Sequence, residues 1–424
     1  MPIRRPGRRA GAALAVAALG LGGAAVAGYG LVSGWFDPGS REGDADGFIA
    51  ERAPRPAPAA GSWPEYGRDH ERTRANTGLR LAPPFRTRWR HDAGSLVEFP
   101  PVVGGGRVVF GTNAGLAIAL DLRSGEVLWR RRLGGAVASS PALAGVAGTA
   151  LRRGLPPVVL FTTMRGDVIA LAPDTGGVRW RLALGSPIES SPLVLDDSAY
   201  VGTRDGRVVR VSLATRRPVW TARATGEVKA SFARAGDTVV VGDYGGRVTA
   251  YARRDGRVRW RTTSPGPRVG GAGRFYAGPA VAYGRVYIGN VNGRVLALSA
   301  ATGAVEWVRV LDDYVYSSAA VADRTAYVGS YDRHLYALDA VTGRVRWRTD
   351  LGERISGSPT VLGGLVWIST IARRPRDGIT VALDARTGRR VYTLRDGRYS
   401  PAVGVRGHLV LTGVRTVYGL EPAR

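Results

Sequence analysis

The chain has 424 residues, 44 % of them apolar, with 60 glycines, 25 prolines and no cysteine. The missing cysteine excludes a disulfide framework, a thiolate nucleophile and a cysteine-ligated zinc site. A formal charge of +26 favours polyanions as partners, but 59 of the 60 basic residues are arginine and Lys229 is the only lysine, a skew that GC-rich codon usage also produces.

At the N-terminus, Arg4, Arg5, Arg8 and Arg9 precede an uncharged run from Ala10 to Phe36. A spanning helix needs about 20 apolar residues and a signal-peptide core about 7–15. Basic residues before the run hold its start in the cytoplasm and send the remainder of the chain outside. The length favours an uncleaved signal anchor, whereas Ala25-Val26-Ala27 offers a small-x-small cleavage site. Residues 1–36 are therefore expected to be a signal anchor or a signal peptide. The rest is expected either at the cell membrane on a single span or secreted. Residues 37–62, with Ala53-Pro54-Arg55-Pro56-Ala57-Pro58, have no apolar period and read as an extended spacer. Residues 63–424 form the folded domain.

That domain is a repeat. Ala-Leu-Asp-x-x-Ser/Thr-Gly followed by an aromatic residue four positions on occurs at Ala119–Gly125 with Trp129, Ala337–Gly343 with Trp347, and Ala382–Gly388 with Tyr392. Weaker copies end at Trp180, Trp220, Trp260 and Trp307, and Trp89 opens the series. Four intervals are 40 residues and the others 51, 47 and 45, a period that marks propeller blades. Within one unit, Val321–Ser330 is a β-rich run broken at Asp323-Arg324, His334–Leu338 alternates, Asp339–Gly343 is a turn, and Arg344–Arg348 is a last strand. One such unit cannot bury both faces alone, so neighbours stack around an axis and the aromatic positions pack between blades. Seven units lie between Trp89 and Tyr392. Thr393–Glu421 supplies three further strands, and Phe85–Arg90 completes an eighth blade that has no open edge. The expected fold is all-β: an eight-bladed β-propeller of four-stranded antiparallel blades behind an N-terminal transmembrane or signal helix.

The Ala-Leu-Asp-x-x-Thr-Gly-x-x-x-Trp phrase resembles the repeat of the pyrroloquinoline-quinone (PQQ) type propellers, a superfamily of quinoprotein alcohol dehydrogenases and of non-enzymatic outer-membrane assembly lipoproteins. Trp63-Pro64-Glu65-Tyr66-Gly67-Arg68-Asp69 resembles the segment before the first blade of the dehydrogenases. The resemblance covers residues 63 to 421 and implies the fold. It leaves function open between enzyme and scaffold.

Ser139-Ser140-Pro141, Ser190-Ser191-Pro192 and Gly357-Ser358-Pro359 mark the innermost strands, where small residues suit a crowded axis. The residues just before this phrase form a ring at the channel mouth: Glu98, Ala138, Glu189, Lys229, Tyr276, Tyr316, Ser356 and Arg398. Turns at Arg204-Asp205, Asp243-Tyr244, Asn290, Asn292 and Tyr331-Asp332 belong on the same face. The functional reading is a partly aromatic pocket for a ligand or partner. The competing one is self-pairing, with Glu189 against Lys229, Arg398 against Glu98, and Tyr276 stacked on Tyr316.

Members that are enzymes, as the resemblance implies, hold PQQ with calcium, a carboxylate base and commonly a disulfide of adjacent cysteines. The disulfide is impossible here, and Glu98, Glu189 and Asp243 fall short of a calcium shell of six to eight oxygens. The expectation is therefore no cofactor and no metal. The four histidines have no ligand spacing, and Gly104-Gly105-Gly106 lacks the lysine of a phosphate loop. Export makes nucleic acid an unsuitable partner. Two arginine-rich tips, Leu151-Arg152-Arg153-Gly154 and Arg373-Arg374-Pro375-Arg376, are either contacts for anionic lipid or wall polymer or ordinary solvated loops. The leading expectation is a membrane-tethered, non-catalytic scaffold that binds a protein or envelope component at its channel face. The alternative is a PQQ-dependent dehydrogenase.

Overall fold

In the computed structural model, which describes residues 39–49, 61–146, 149, 151, 154–265, 273–374, 377–399 and 401–423, the repeated phrase builds the outer half of a blade. Blade 6 runs Ala320–Ala322, Thr325–Gly329, His334–Asp339 and Val345–Asp350, each strand antiparallel to the next. The aspartate of the phrase holds the turn: Asp339 Oδ1 accepts from the Val341 and Thr342 amides and lies 3.2 Å from Thr342 Oγ1. Asp384 does the same for Arg386 and Thr387. The glycine closing the turn sits at positive φ, +74° at Gly343, where a side chain would be strained.

The tryptophan of one blade lies on the glycine of the next. A Cβ on Gly343 would stand 2.7 Å from the Trp307 ring, and Trp307 Nε1 donates to Ala340 O at 3.1 Å. Trp89 meets Gly125, Trp129 meets Gly176, Trp220 meets Gly256, Trp260 meets Gly303 and Trp347 meets Gly388 in the same manner. Turn and aromatic residue thus form one device that joins neighbouring blades. Blade 3 departs from it: Arg216 takes the glycine's place at φ +62°, and among the described residues Trp180 makes no such hydrogen bond.

Seven blades span residues 102–132, 142–183, 193–223, 233–263, 280–310, 320–350 and 360–394, and the eighth joins Phe85–Asp92 to the outer side of Thr416–Pro422. The ring of eight four-stranded blades is as expected, including the sharing of one blade by the two ends of the repeat. At the axis the Ser-Ser-Pro phrase does more than save space. The Ser140 amide donates to Ser191 Oγ and the Ser191 amide to Ser231 Oγ. On the far side Gly278 donates to Ser318 and Ser318 to Ser358. These hydroxyls satisfy buried inner-strand amides of the adjacent blade.

Residues 63–76 close one end of the axis as a plug that touches every blade. Trp63 pairs with Val103 of blade 1, and Pro64 O accepts from Leu143 of blade 2. His70 O, Glu71 O, Thr73 O and Arg74 O accept in turn from Arg234, Val281, Val321 and Val361 of blades 4 to 7. Arg72 reaches Pro192 O of blade 3 and Phe232 O of blade 4, and Asn76 reaches Gly404 O of blade 8. Inside the plug, buried Glu65 binds Arg72 at 3.2 Å and His70 Nδ1 at 2.6 Å.

Burial pushes the Asp69 carboxyl up to about 6, against the opposing hydrogen bonds from Thr73. The folded pKa lies above the unfolded value of 3.8. Asp69 therefore costs stability increasingly from pH 4 to 6, and the cost persists above that. Asp69→Asn is expected to raise Tm relative to the parent at pH 7–8, with the gain shrinking to nothing near pH 4. Parallel melts across that range check it, and a pH-independent difference would refute it.

A second N-terminal segment, residues 39–49, lies on the outer side of blades 5 and 6. Arg41 pairs antiparallel with Val308, Glu42 binds Arg344 at 2.6 Å, and Phe48 stacks on Tyr283 at 5.0 Å. Fully buried Arg285 donates to Asp44 O and Asp46 O of this strap. Reading residues 37–62 as a spacer does not anticipate the contact. It arises because the blade 5 outer strand, Val305–Val310, carries Val308 where five other blades have arginine just after the aromatic residue, leaving an apolar edge for a strand to cover. The apolar run Ala10–Phe36 lies outside the described residues. Among the described residues no helix is long and apolar enough to cross a membrane.

Candidate functional site

With the plug in place the central channel is a cup of about 50 Å3, floored by Tyr66 and walled by residues that include Glu98, Lys229, Tyr276, Tyr316 and Ser356. These five come from the ring predicted at the channel mouth. The expected turns reach the same face: the Tyr244 amide donates to Glu227 O, Arg204 to Pro187 O and Tyr331 to Tyr314 O.

Four predicted positions stand elsewhere. Asp243 differs from the expected mouth position: its carboxylate is buried and accepts from the Thr225 amide and hydroxyl and the Arg247 amide, so it holds a turn. Glu189 faces Arg204 at 3.5 Å and Lys229 at 4.0 Å and is absent from the cup wall. Arg398 lies over the Tyr399 ring at 5.4 Å; no ion pair joins it to Glu98, which instead accepts from Asn113 Nδ2 at 3.3 Å. Ala138 is not part of the cup wall.

Lys229 is held from several sides. Its Nζ lies 3.3 Å from Glu227 and 4.3 Å from the centre of the Tyr244 ring. Tyr244 continues into Tyr276 at 6.5 Å, and Tyr276 meets Tyr316 edge-on at 5.5 Å. Tyr316 touches Tyr331 at 5.0 Å and Tyr314 at 6.0 Å. Five tyrosines thus form one arc from blade 4 to blade 6 along the mouth. Tyr314 was missed in sequence, although Tyr314-Val315-Tyr316 places both rings on one side of an extended segment.

Burial raises the Glu98 carboxyl, opposed by the Asn113 bond and the Arg398 charge and reinforced by Glu189. Burial likewise holds Tyr276 well above the usual phenol range, with Glu98 and Glu189 adding to it. Tyr66 goes the other way. Burial raises it, but the Arg74 guanidinium 3.8 Å over its ring and the Ser318 and Ser358 hydroxyls within 3.4 Å outweigh burial and bring it below its ordinary value. The floor is thus a polarised hydroxyl above a buried cation. The sequence marks Tyr66 only as part of the Trp63–Asp69 segment; its contacts with Ser318 and Ser358, more than 250 residues away, come from the fold.

A PQQ molecule does not fit this cup, since sites for organic ligands of that size run to about 300–1,000 Å3. Among the described residues no three His, Cys, Asp or Glu are placed to hold a metal ion. Of the basic tips, Arg152, Arg153, Pro375 and Arg376 lie outside the described residues.

Comparison with known proteins agrees with this geometry. Residues 85–150, 147–317 and 311–420 match the family described as "Outer membrane protein assembly factor BamB". A protein of that name from Yersinia pestis is 29 % identical over 190 residues, 41 % of this chain and 46 % of that protein, so the chain spans about half the length of this relative. The crystal structure of BamB from Moraxella catarrhalis superposes with a TM-score of 0.63 at 16 % identity, covering 80 % of this chain and 98 % of that one. A europium-containing methanol dehydrogenase superposes with a TM-score of 0.69 at 15 % identity over 85 % of this chain and 98 % of that one. Likenesses at such identity show the shared propeller alone. With the family match running through residues 85–420, the chain belongs to the outer membrane protein assembly factor BamB family of PQQ-like propellers.

Proposed function

We propose that this protein is a non-catalytic scaffold outside the cytoplasm that docks a protein or cell-envelope component at its channel mouth, as the name of its family would suggest for an assembly machinery. The observation that carries the reading is the arc of five tyrosines beside a cup too small for an organic cofactor. Tyrosine supplies large amphipathic contact area at low entropic cost and dominates binding hot spots. In this reading the N-terminal run Ala10–Phe36 tethers the propeller to a membrane. The dehydrogenase alternative is supported by the shared fold only, and calorimetry with PQQ and calcium tests it directly.

Crosslinking from membranes tests the docking. Tyr316→Ala is expected to lower capture of the partner by about 30-fold, the cost of a hot-spot tyrosine of about 2 kcal/mol. Lys229→Ala, which frees Glu227 and uncovers Tyr244, is expected to lower it less. Capture unchanged in both variants would overturn the docking reading.

A further inference from the structure

We propose that Tyr314 and the carboxylates before it form a subsite for a cationic side chain, a guanidinium or ammonium group, of the partner docked at the mouth; the proposal rests on that docking reading. The arc itself shows the chemistry. Tyr244 carries Lys229 Nζ at 4.3 Å and Tyr331 carries the Arg354 guanidinium at 5.7 Å. Ring faces here attract cations through the negative centre of the aromatic quadrupole. Tyr314 has no such occupant among the described residues and is 49 % exposed, whereas the other four rings of the arc are half-buried.

Asp312 and Asp313 immediately precede Tyr314, and neither pairs with a basic side chain among the described residues. Tyr316 and Tyr331, 6.0 and 6.1 Å from Tyr314, fix the ring from behind. An anionic group at this place would meet two carboxylates, whereas a cation gains from both the carboxylates and the ring face.

A groove of about 920 Å3 runs on from here, walled by the acidic Asp312, Asp313, Asp332 and Glu353 and by the basic Arg333, Arg354 and Arg373. Arg354 already occupies the Tyr331 ring, which confines the vacant cation position to the Tyr314 end. The partner segment is therefore one that carries an arginine or lysine beside the residues packed on the tyrosine arc.

The test uses the full chain labelled with 3-fluorotyrosine and titrated with N-acetylarginine amide or N-acetylglutamate amide, followed by fluorine NMR. Tyr314→Ala assigns the resonance and, being an exposed change, leaves Tm unaltered. The arginine probe is expected to shift the Tyr314 signal saturably and the glutamate probe to leave it in place. Asp312→Asn with Asp313→Asn is expected to weaken the arginine probe by roughly two- to fivefold, the fold-change of an exposed cation–π and ionic contact. Equal shifts with both probes, or an unchanged affinity in the double variant, overturns the subsite. The membrane crosslink separates the two readings. Capture lost in Tyr316→Ala but intact in the aspartate variant sinks the subsite and keeps the docking reading, whereas capture intact in both sinks the docking reading itself.

Discussion

Trp307→Ala is expected to lower the unfolding free energy by about 3–5 kcal/mol, the cost of truncating a fully enclosed aromatic side chain. Trp307 has no exposed surface and is covered on one side by Gly343 of blade 6 and on the other by the strap at Gly43. The change empties a space between two blades, removes the Nε1 bond to Ala340 O and undermines the strap. Trp180→Ala at the equivalent position of blade 2 is expected to cost about half as much, because that ring is already partly exposed and meets Arg216 where six other blades present glycine. Denaturant unfolding followed by circular dichroism, with the slope unchanged, gives both values. Equal costs at the two sites would show that the tryptophan–glycine contact is not what joins the blades.

The second large effect lies in the plug. Arg72→Met is expected to destabilise by about 3–5 kcal/mol, the cost of breaking a buried ion pair from one side. Arg72 donates to carbonyls of Tyr66, Pro192 and Phe232 as well as pairing with Glu65, and both side chains are almost wholly enclosed. Its loss leaves the Glu65 carboxylate buried with only His70 to balance it. Adding Glu65→Gln should recover part of the loss, because removing both charges is less costly than orphaning one. A double variant no more stable than Arg72→Met would show that the carbonyl contacts to blades 3 and 4, and not the charge pair, hold the plug. Tyr66 rides on the same segment, so partner capture should fall along with stability in both variants.

The blade was almost entirely legible in sequence, and for a physical reason. The aspartate that satisfies the turn amides, the glycine at positive φ and the tryptophan that lies on it are all set by contacts within one repeat or between one repeat and the next. The period alone therefore carries them. Closure was legible as well, because Phe85–Asp92 has the outer-strand pattern and the C-terminal repeat lacks one strand.

The mouth was legible by position but not by role. Lys229, Tyr276, Tyr316, Glu98 and Ser356 meet as the register predicted. Asp243 has the same residue type and sits on the same face, yet it is consumed by the Thr225 and Arg247 amides. Whether a polar side chain turns inward to close a turn or outward to meet a ligand depends on hydrogen-bond partners that the linear pattern does not state. In the competing self-pairing reading Arg398 would meet Glu98; the Glu98 carboxylate instead accepts from Asn113, with Arg398 acting on it only through its charge.

Sequence by itself determined the repeat, the number of blades and the shared closing blade, because each of these follows from interactions that recur at a fixed spacing. Tertiary structure alone decided that residues 63–76 block the channel, that residues 39–49 seal blade 5, and that five tyrosines join into one arc. These arrangements bring together residues tens to hundreds of positions apart, where no periodicity exists to report them. Burial then decides the chemistry: Glu65, Arg72 and Arg74 read as an ordinary polar loop until eight converging blades enclose them and each charge must find its partner inside.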